Sequence, residues 1–257
     1  MRIPAFGYEV AKLFANTSAR YHVFVSGRSS ETAKQATASL QAQPSPRGTY
    51  ALELDTTNQS SITNAVKEVG SLFGRLDVLV NNAGIQPTNS GLPSQLRQCL
   101  ETNTIAQIAV TEAFKPLLAK SANLRILFIS STVGSVTVRC DPMNMSYHGS
   151  ATAYRTSKAA LNMLAACYAK ELKDEFGAKV WAVDPGLVAT NLTRNPDALR
   201  ARGALEPDTS AQTILGLVEG KRDEDVGKLV HKDGVWLLVR GVWVETGCRI
   251  SILLGSK

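Results

Sequence analysis

The 257-residue sequence has no apolar run of about 18 residues, and its first 15 residues lack the long apolar core of a signal peptide. It shows no internal repeat and no low-complexity segment. Its 28 lysines and arginines give a net charge of +6, but they are scattered and form no basic run or stripe. We therefore expect a protein that binds neither membranes nor nucleic acid and that acts in the cytoplasm.

The cysteines lack any pattern of a metal site or a disulfide framework. There are four, at Cys99, Cys140, Cys167 and Cys248, with no CxxC pair and no neighbouring histidine. This spacing argues against zinc and, together with the missing signal peptide, predicts free thiols in a reducing compartment and no bound metal.

Short β-rich runs alternate with longer helical segments along the whole chain. The runs are almost continuously apolar, as expected for strands whose two sheet faces are both covered. Alternation of this kind predicts an α/β fold with a doubly wound parallel sheet, in one domain over residues 1–257. The predicted strands are 21–27, 49–54, 76–82, 124–131, 179–184 and about 227–231. The predicted helices are 7–18, 30–42, 60–73, 93–118, 151–176 and about 208–219.

Small, polar or glycine-bearing segments follow five predicted strands. They read SGR, DTT, NNAG, SSTVG and DPGLVAT in chain order. In open α/β sheets, ligands bind beyond the carboxyl ends of the strands. We therefore expect the binding site at this edge, flanked by the loops 136–150 and 187–210, with 194–210 as a candidate lid.

Tyr154 and Lys158 are four residues apart in a predicted helix, so their side chains share one face. A tyrosine has a pKa near ~10 and is a poor acid or base at neutral pH, but a neighbouring cation lowers that pKa. The pair is also common on helices without any function, so the spacing alone leaves both interpretations open.

Taken together, NNAG at 81–84, Asn103, SSTVG at 130–134, YRTSK at 154–158 and DPGLVAT at 184–190 resemble the short-chain dehydrogenase/reductase family, and within it the cytosolic carbonyl-reductase-like branch. The resemblance covers residues from about 5 to 234. It implies a Rossmann-like, three-layer αβα fold. It also implies hydride transfer between a nicotinamide cofactor and a small carbonyl or alcohol substrate.

The resemblance assigns four catalytic roles. Tyr154 would give a proton to the substrate oxygen, and Lys158 would lower the pKa of Tyr154 and hold the nicotinamide ribose. Ser131 would polarise the carbonyl, and Asn103 would hold a water that links Lys158 to solvent. Ser130 is expected to be a structural neighbour of the catalytic serine.

The resemblance also implies a set of cofactor contacts. The segment 81–84 would approach the adenosine side, Asp55 the adenine edge, and 185–190 the nicotinamide, with Thr190 at its carboxamide. The residues expected to bind the cofactor are Gly7, Arg28, Asp55, Asn82, Ala83, Gly84, Tyr154, Lys158, Pro185, Gly186, Val188 and Thr190.

Arg28 bears on the choice of cofactor. An acidic residue at the end of this strand would bind the ribose 2′-hydroxyl of NAD, but Gly27 and Arg28 stand there instead. An arginine can pair with a 2′-phosphate, so we expect NADP(H) to be favoured over NAD(H). A plain Gly-Arg turn is the alternative.

The front of the chain departs from the family pattern. Gly7 matches the last glycine of the phosphate-binding turn, while the first central strand and the other glycines are missing. We expect an incomplete gene model to be the cause. Because the pyrophosphate would lose most of its glycine turn, the alternative function is a catalytically impaired or non-catalytic relative.

Two other segments are atypical. The apolar tail 235–257 admits three interpretations: an extra strand or hairpin, an interface segment, or read-through from a faulty gene boundary. The separation between Ser131 and Tyr154 is longer than the family's, which leaves the oligomeric state open, with a homo-oligomer one outcome. His148 within this insert is expected to be solvated.

Overall fold

A computed structural model of the protein describes residues 5–18, 20–42, 48–88, 90–144, 146–147, 149–193, 195–236 and 238. Residues 1–4, His148, Cys248 and nearly all of the tail beyond residue 236 lie outside the described residues, together with the expectations stated for them. No helix within the described ranges is long and apolar enough to cross a membrane.

Strands and helices alternate as the sequence predicts. The strands are β1 (Val23–Gly27), β2 (Thr49–Glu53), β3 (Val78–Asn81), β4 (Arg125–Ile129), β5 (Lys179–Val183), β6 (Leu229–His231) and β7 (Gly234–Trp236). The helices are α1 (Ala5–Thr17), α2 (Ser30–Gln41), α3 (Gln59–Phe73), α4 (Leu92–Leu100), α5 (Ala106–Leu118), α6 (Val136–Cys140), α7 (Thr152–Phe176), α8 (Pro196–Arg200) and α9 (Pro207–Val218).

Parallel strands flanked by helices form the frame, which confirms the predicted α/β, Rossmann-like fold class. β3, β4, β5 and β6 are consecutive parallel neighbours, and β7 closes the edge as an antiparallel hairpin with β6. The first residues of the atypical tail therefore form a hairpin on the sheet. The carboxyl ends of the parallel strands lie at one edge, which gathers the loops that follow them.

The described strands fall into two sheets. β1 pairs only with β2, and β3 pairs only with β4, so among the described residues no strand pairs with the other edges of β1 and β3. Val78, Leu79 and Val80 of β3 are partly exposed, whereas every residue of β4 is buried. The β3 edge of the larger sheet is therefore less covered than its interior.

Two apolar clusters cover the faces of the larger sheet. Cluster one lies between the sheet and α3, α5 and α7, and includes Phe114, Phe128 and Leu161. Cluster two lies between the sheet and helices α1 and α9, and includes Phe14 and Trp181. The amphipathic helix α1 packs its apolar face against the sheet.

Local structure departs from the prediction at three places. The helix predicted over 93–118 is interrupted by a π-helical turn at Glu101–Ile105. The segment 136–150, predicted as a loop, contains α6, because Ser135 caps its first turn by accepting a hydrogen bond from Val138 N. The candidate lid 194–210 contains α8, where Asn195 caps in the same way.

Candidate active site

Ser131 occupies the turn directly after β4. It caps a short 3-10 turn, Thr132–Gly134, and its hydroxyl accepts a hydrogen bond from Val133 N at 3.3 Å. A Cβ at Gly134 would lie 2.6 Å from Lys158 C. Only glycine permits this approach, so the turn that carries Ser131 packs directly on α7.

Lys158 and Tyr154 stand one turn apart on α7. Lys158 is 3% exposed, and its Nζ donates to Ile129 O, the last residue of β4, at 2.7 Å. The same Nζ lies 5.6 Å from the ring centroid of Tyr154. The helix therefore brings the ammonium group and the phenol together beside the end of β4.

Burial dominates the titration of this pair. It lowers the pKa of Lys158 to about 8, against an opposing influence of the Asp184 carboxylate. Burial also raises the pKa of Tyr154 well above its ordinary value, and Asp184 and Cys99 act in the same direction. The side chains of the protein alone therefore keep Tyr154 protonated, and a pKa lowered by Lys158 stays a prediction.

Asn103 lies in the π-helical turn and is completely buried. Its Oδ1 accepts from Ile85 N at 2.7 Å, and its Nδ2 donates to Ile85 O at 3.0 Å and to Ser157 Oγ at 2.9 Å. Because both amide hydrogens are engaged, the side chain clamps the segment after β3 to α7. The predicted proton-relay water would have to bind another atom of Asn103, and this role stays a prediction.

The sequence motifs do not predict the hydrogen bonds that connect these groups. Ser157 Oγ donates to Tyr154 O at 2.7 Å, and Thr104 Oγ1 donates to Ser157 O at 3.0 Å. Ser130 is buried, and its hydroxyl contacts Asn162 Oδ1 at 2.5 Å. The signal in the sequence that could have indicated these contacts is a polar residue at a helix position that faces the sheet.

The segment after β3 lies against the same cluster. A Cβ at Gly84 would be 3.5 Å from Asn103 Oδ1 and 3.8 Å from Lys158 Nζ. A Cβ at Gly7 would be 2.8 Å from Asn82 Nδ2. A Cβ at Gly84 would make only ordinary contacts, whereas one at Gly7 would displace the Asn82 amide. The missing side chain at Gly7 therefore lets the start of α1 lie close to the segment after β3.

Arg28 and Asp55 lie at the carboxyl ends of the smaller sheet. Arg28 is exposed directly after β1. Asp55 accepts hydrogen bonds from Thr57 N at 3.0 Å and Thr57 Oγ1 at 2.7 Å, which lower the pKa of its carboxyl group, with a smaller contribution from Arg28. The two residues are thus close enough to interact, and both follow strands of the smaller sheet, whereas Lys158 lies on α7 beside the end of β4.

The loop after β5 is fixed at both ends of the predicted nicotinamide segment. Pro185 O accepts from Ser210 Oγ at 2.8 Å, Gly186 has a φ of +82°, and Val188 bridges to Leu205. Thr190 Oγ1 accepts from Leu192 N at 3.3 Å. The loop therefore has a defined path over the carboxyl edge, held by the segment that contains α8 and α9.

Comparison with known proteins identifies the class. A family model described as short chain dehydrogenase matches residues 4–200. The short-chain dehydrogenase/reductase tropE of Talaromyces stipitatus is 34% identical over 248 residues, covering 89% of this chain and 91% of the relative. The chain therefore belongs to the short-chain dehydrogenase/reductase family.

Solved structures point to one branch of that family. An NADPH-bound carbonyl reductase from chicken fatty liver superposes with a TM-score of 0.76 at 28% identity, covering 90% of this chain and 93% of the other. The carbonyl reductase Sniffer of D. melanogaster gives 0.75 at 26% identity, with coverages of 90% and 94%. By these neighbours the protein stands in the carbonyl-reductase-like branch.

Proposed function

We propose that the protein is an NADP(H)-dependent oxidoreductase that reduces a small carbonyl compound, or oxidises the corresponding secondary alcohol, by hydride transfer. It acts in the cytoplasm on a free small molecule, without nucleic acid or membrane as a partner. Family membership supports an oxidoreductase, and the NADPH-bound carbonyl reductase among the similar structures supports the cofactor class.

One observation carries the proposal. Lys158 Nζ donates to the carbonyl oxygen that ends β4, two residues before Ser131, and lies 5.6 Å from the Tyr154 ring. Asn103 is tied through Ser157 to the same turn of α7. Ser131, Tyr154, Lys158 and Asn103 thus stand on neighbouring elements at the edge where open α/β sheets bind ligands, which supports their proposed catalytic roles.

In this reaction each catalytic side chain has a proposed role that its surroundings permit. The bound nicotinamide cofactor supplies or accepts the hydride. Tyr154, kept in its protonated form by burial, donates its phenolic proton to the oxygen of the reduced carbonyl. Ser131 donates a hydrogen bond to that oxygen and polarises it. Lys158 would hold the cofactor ribose and would stabilise the phenolate left on Tyr154 after the proton has moved.

The cofactor preference rests on Arg28. An exposed guanidinium beside the end of β1 can form a bidentate pair with a ribose 2′-phosphate. The test compares the Kd values of NADPH and NADH, measured by cofactor fluorescence, in the parent protein. Tighter binding of NADPH supports the proposal, and equal affinities contradict it.

The second candidate is that the protein is a non-catalytic family member, which neither binds the cofactor pyrophosphate nor converts a substrate. It is favoured by the division of the described strands into two sheets, with one edge of β1 and one edge of β3 unpaired among the described residues. Thermal unfolding with added NADPH separates the candidates. A rise in Tm that saturates with NADPH supports the oxidoreductase, and an unchanged Tm supports the non-catalytic relative.

A further inference from the structure

Asp184 is a buried acidic residue to which the proposed reaction gives no role. It directly follows β5, is 3% exposed, and its backbone nitrogen donates to Val230 O at 2.8 Å. Its Oδ2 accepts from Thr132 N at 3.0 Å and its Oδ1 from Gly186 N at 2.9 Å. Both carboxyl oxygens of Asp184 are thus engaged as acceptors of backbone hydrogen bonds.

These two bonds join the two loops on which the reaction depends. Thr132 follows Ser131 in the turn after β4, and Gly186 begins the loop proposed to cover the nicotinamide. Hydrogen bonds from backbone amides to a carboxylate are stronger than neutral ones. One side chain therefore fixes the distance between the serine hydroxyl and the nicotinamide loop.

The charge of Asp184 has no ion-pair partner within 4.0 Å among the described residues. A buried charge without a paired cation is costly, so its position calls for a reason. Its field reaches α7, where it acts on Lys158 and Tyr154 in the same sense, by favouring the protonated form of each. The carboxylate thus opposes the loss of the ammonium charge that burial promotes.

We propose that Asp184 is a positioning residue that locks the Ser131 turn to the nicotinamide loop and places a buried negative charge whose field acts on the Tyr154–Lys158 pair of α7. This inference rests on the proposed function. It predicts that removal of the charge shifts the pH at which Tyr154 can act as a base, and a merely structural residue would not do this.

Two further side chains lie near the groups that Asp184 joins. Cys99 approaches from α4, and burial raises the pKa of its thiol, so it is uncharged at neutral pH. His231 approaches from β6: a Cβ at Gly186 would lie 3.4 Å from its Nε2. Because His231 lies beside the loop that Asp184 holds, the pH profiles are recorded in a His231→Asn background as well.

The test measures the pH dependence of kcat/KM for oxidation of a secondary alcohol with NADP⁺. Oxidation needs the Tyr154 phenolate, so we expect Asp184→Asn to move the acidic limb down by about 1 pH unit, since a neighbouring like charge raises a pKa by this order. Asp184→Ser is the second neutral variant, in case Asp184→Asn does not fold. Asp184→Glu keeps the charge and is expected to keep the limb in place.

A matched control is Asp225→Asn. Asp225 is 7% exposed and bonds Arg222 and Lys228 near the start of β6, at the opposite edge of the sheet. Its loss is expected to lower stability without moving the limb. Identical limbs in the parent, both neutral variants and the control would overturn the inference.

A readout independent of turnover keeps the two proposals apart. The phenolate absorbance of Tyr154 is taken as the difference between each protein and its Tyr154→Phe counterpart, without cofactor. We expect the phenolate of Asp184→Asn to form at lower pH than that of the parent. This shift in a protein that turns nothing over would refute the proposed function alone, and turnover without the shift would refute the role of Asp184 alone.

Discussion

The two sheets differ in the burial of their strands and in the roles proposed for the residues near their carboxyl ends. All of β4 is buried, whereas Val25 is the only buried residue of β1. Arg28 and Asp55 follow the strands of the smaller sheet; Arg28 is proposed to bear on cofactor choice and Asp55 to meet the adenine edge. The larger sheet positions Ser131 and Lys158. The difference teaches that the groups proposed to react lie beside a fully buried strand, while Arg28, proposed to select the cofactor, follows a strand with a single buried residue.

The largest effect is expected at Tyr154, beside the carboxyl end of the larger sheet. Tyr154→Phe removes the only proton that the proposed mechanism passes to the substrate oxygen, so kcat/KM for carbonyl reduction should fall by roughly 10²- to 10⁴-fold. Tyr21→Phe, at the opposite edge near the start of β1, is the control and should retain activity. Comparable loss in both variants would mean that the site is elsewhere.

The difference in burial between neighbouring strands can be measured directly. Leu127 in β4 is fully buried, and Leu79 in β3 is partly exposed. Leu127→Ala should cost about 2–5 kcal/mol of unfolding free energy, as large-to-small changes in a packed core do, and Leu79→Ala clearly less. Urea unfolding of the two variants checks this, and equal costs would show that β3 is covered as well as β4.

The buried ammonium of Lys158 should leave a mark on the pH dependence of stability. With a folded pKa of about 8 against 10.5 when exposed, the unfolded state binds the extra proton between these pH values, so stability rises with pH in that window. The rise is up to about 3 kcal/mol and should vanish in Lys158→Met.

The control for Lys158→Met is Lys67→Met, at an exposed position of α3. Urea unfolding at several pH values from about 7 to about 10.5 is recorded for the three proteins. The rise should persist in the control. Its persistence in Lys158→Met would assign it to another group.

The smallest effect is expected on the smaller sheet. Arg28→Ala should weaken NADPH binding by roughly 10- to 100-fold, the value of one or two charge-assisted hydrogen bonds, and leave NADH binding unchanged. Arg75→Ala removes an exposed arginine near the start of β3 instead. If it weakens NADPH binding as much as Arg28→Ala does, the effect is one of overall charge and not of a 2′-phosphate contact.

Much of the fold was predictable because its signals are local. The strands are short apolar runs between turn residues, and Gly177, with a φ of +67°, ends α7 where the sequence predicts. The π-helical turn at Glu101–Ile105 was not predictable, because its pattern of polar and apolar residues is that of a continuous helix. Its cause is tertiary: Asn103 is drawn towards Ile85 and Ser157.

The site was predictable only in part for the same reason. Tyr154, Lys158 and Ser131 stand in recognisable motifs, but their partners are set by contacts between elements distant in sequence. Asp184 lies inside a motif that was recognised, yet its bond to Thr132 spans 52 residues. Nothing in the local sequence distinguishes a buried aspartate from a solvated one at a strand end.

The central claim is that this chain uses Tyr154 as the proton donor in NADPH-dependent carbonyl reduction. The most direct measurement is the consumption of NADPH by the full chain with a panel of aldehydes and ketones, beside Tyr154→Phe. The account predicts carbonyl-dependent consumption in the parent and its loss in the variant, with NADPH binding retained in both. Binding without consumption in the parent, or equal consumption in the two proteins, would contradict it.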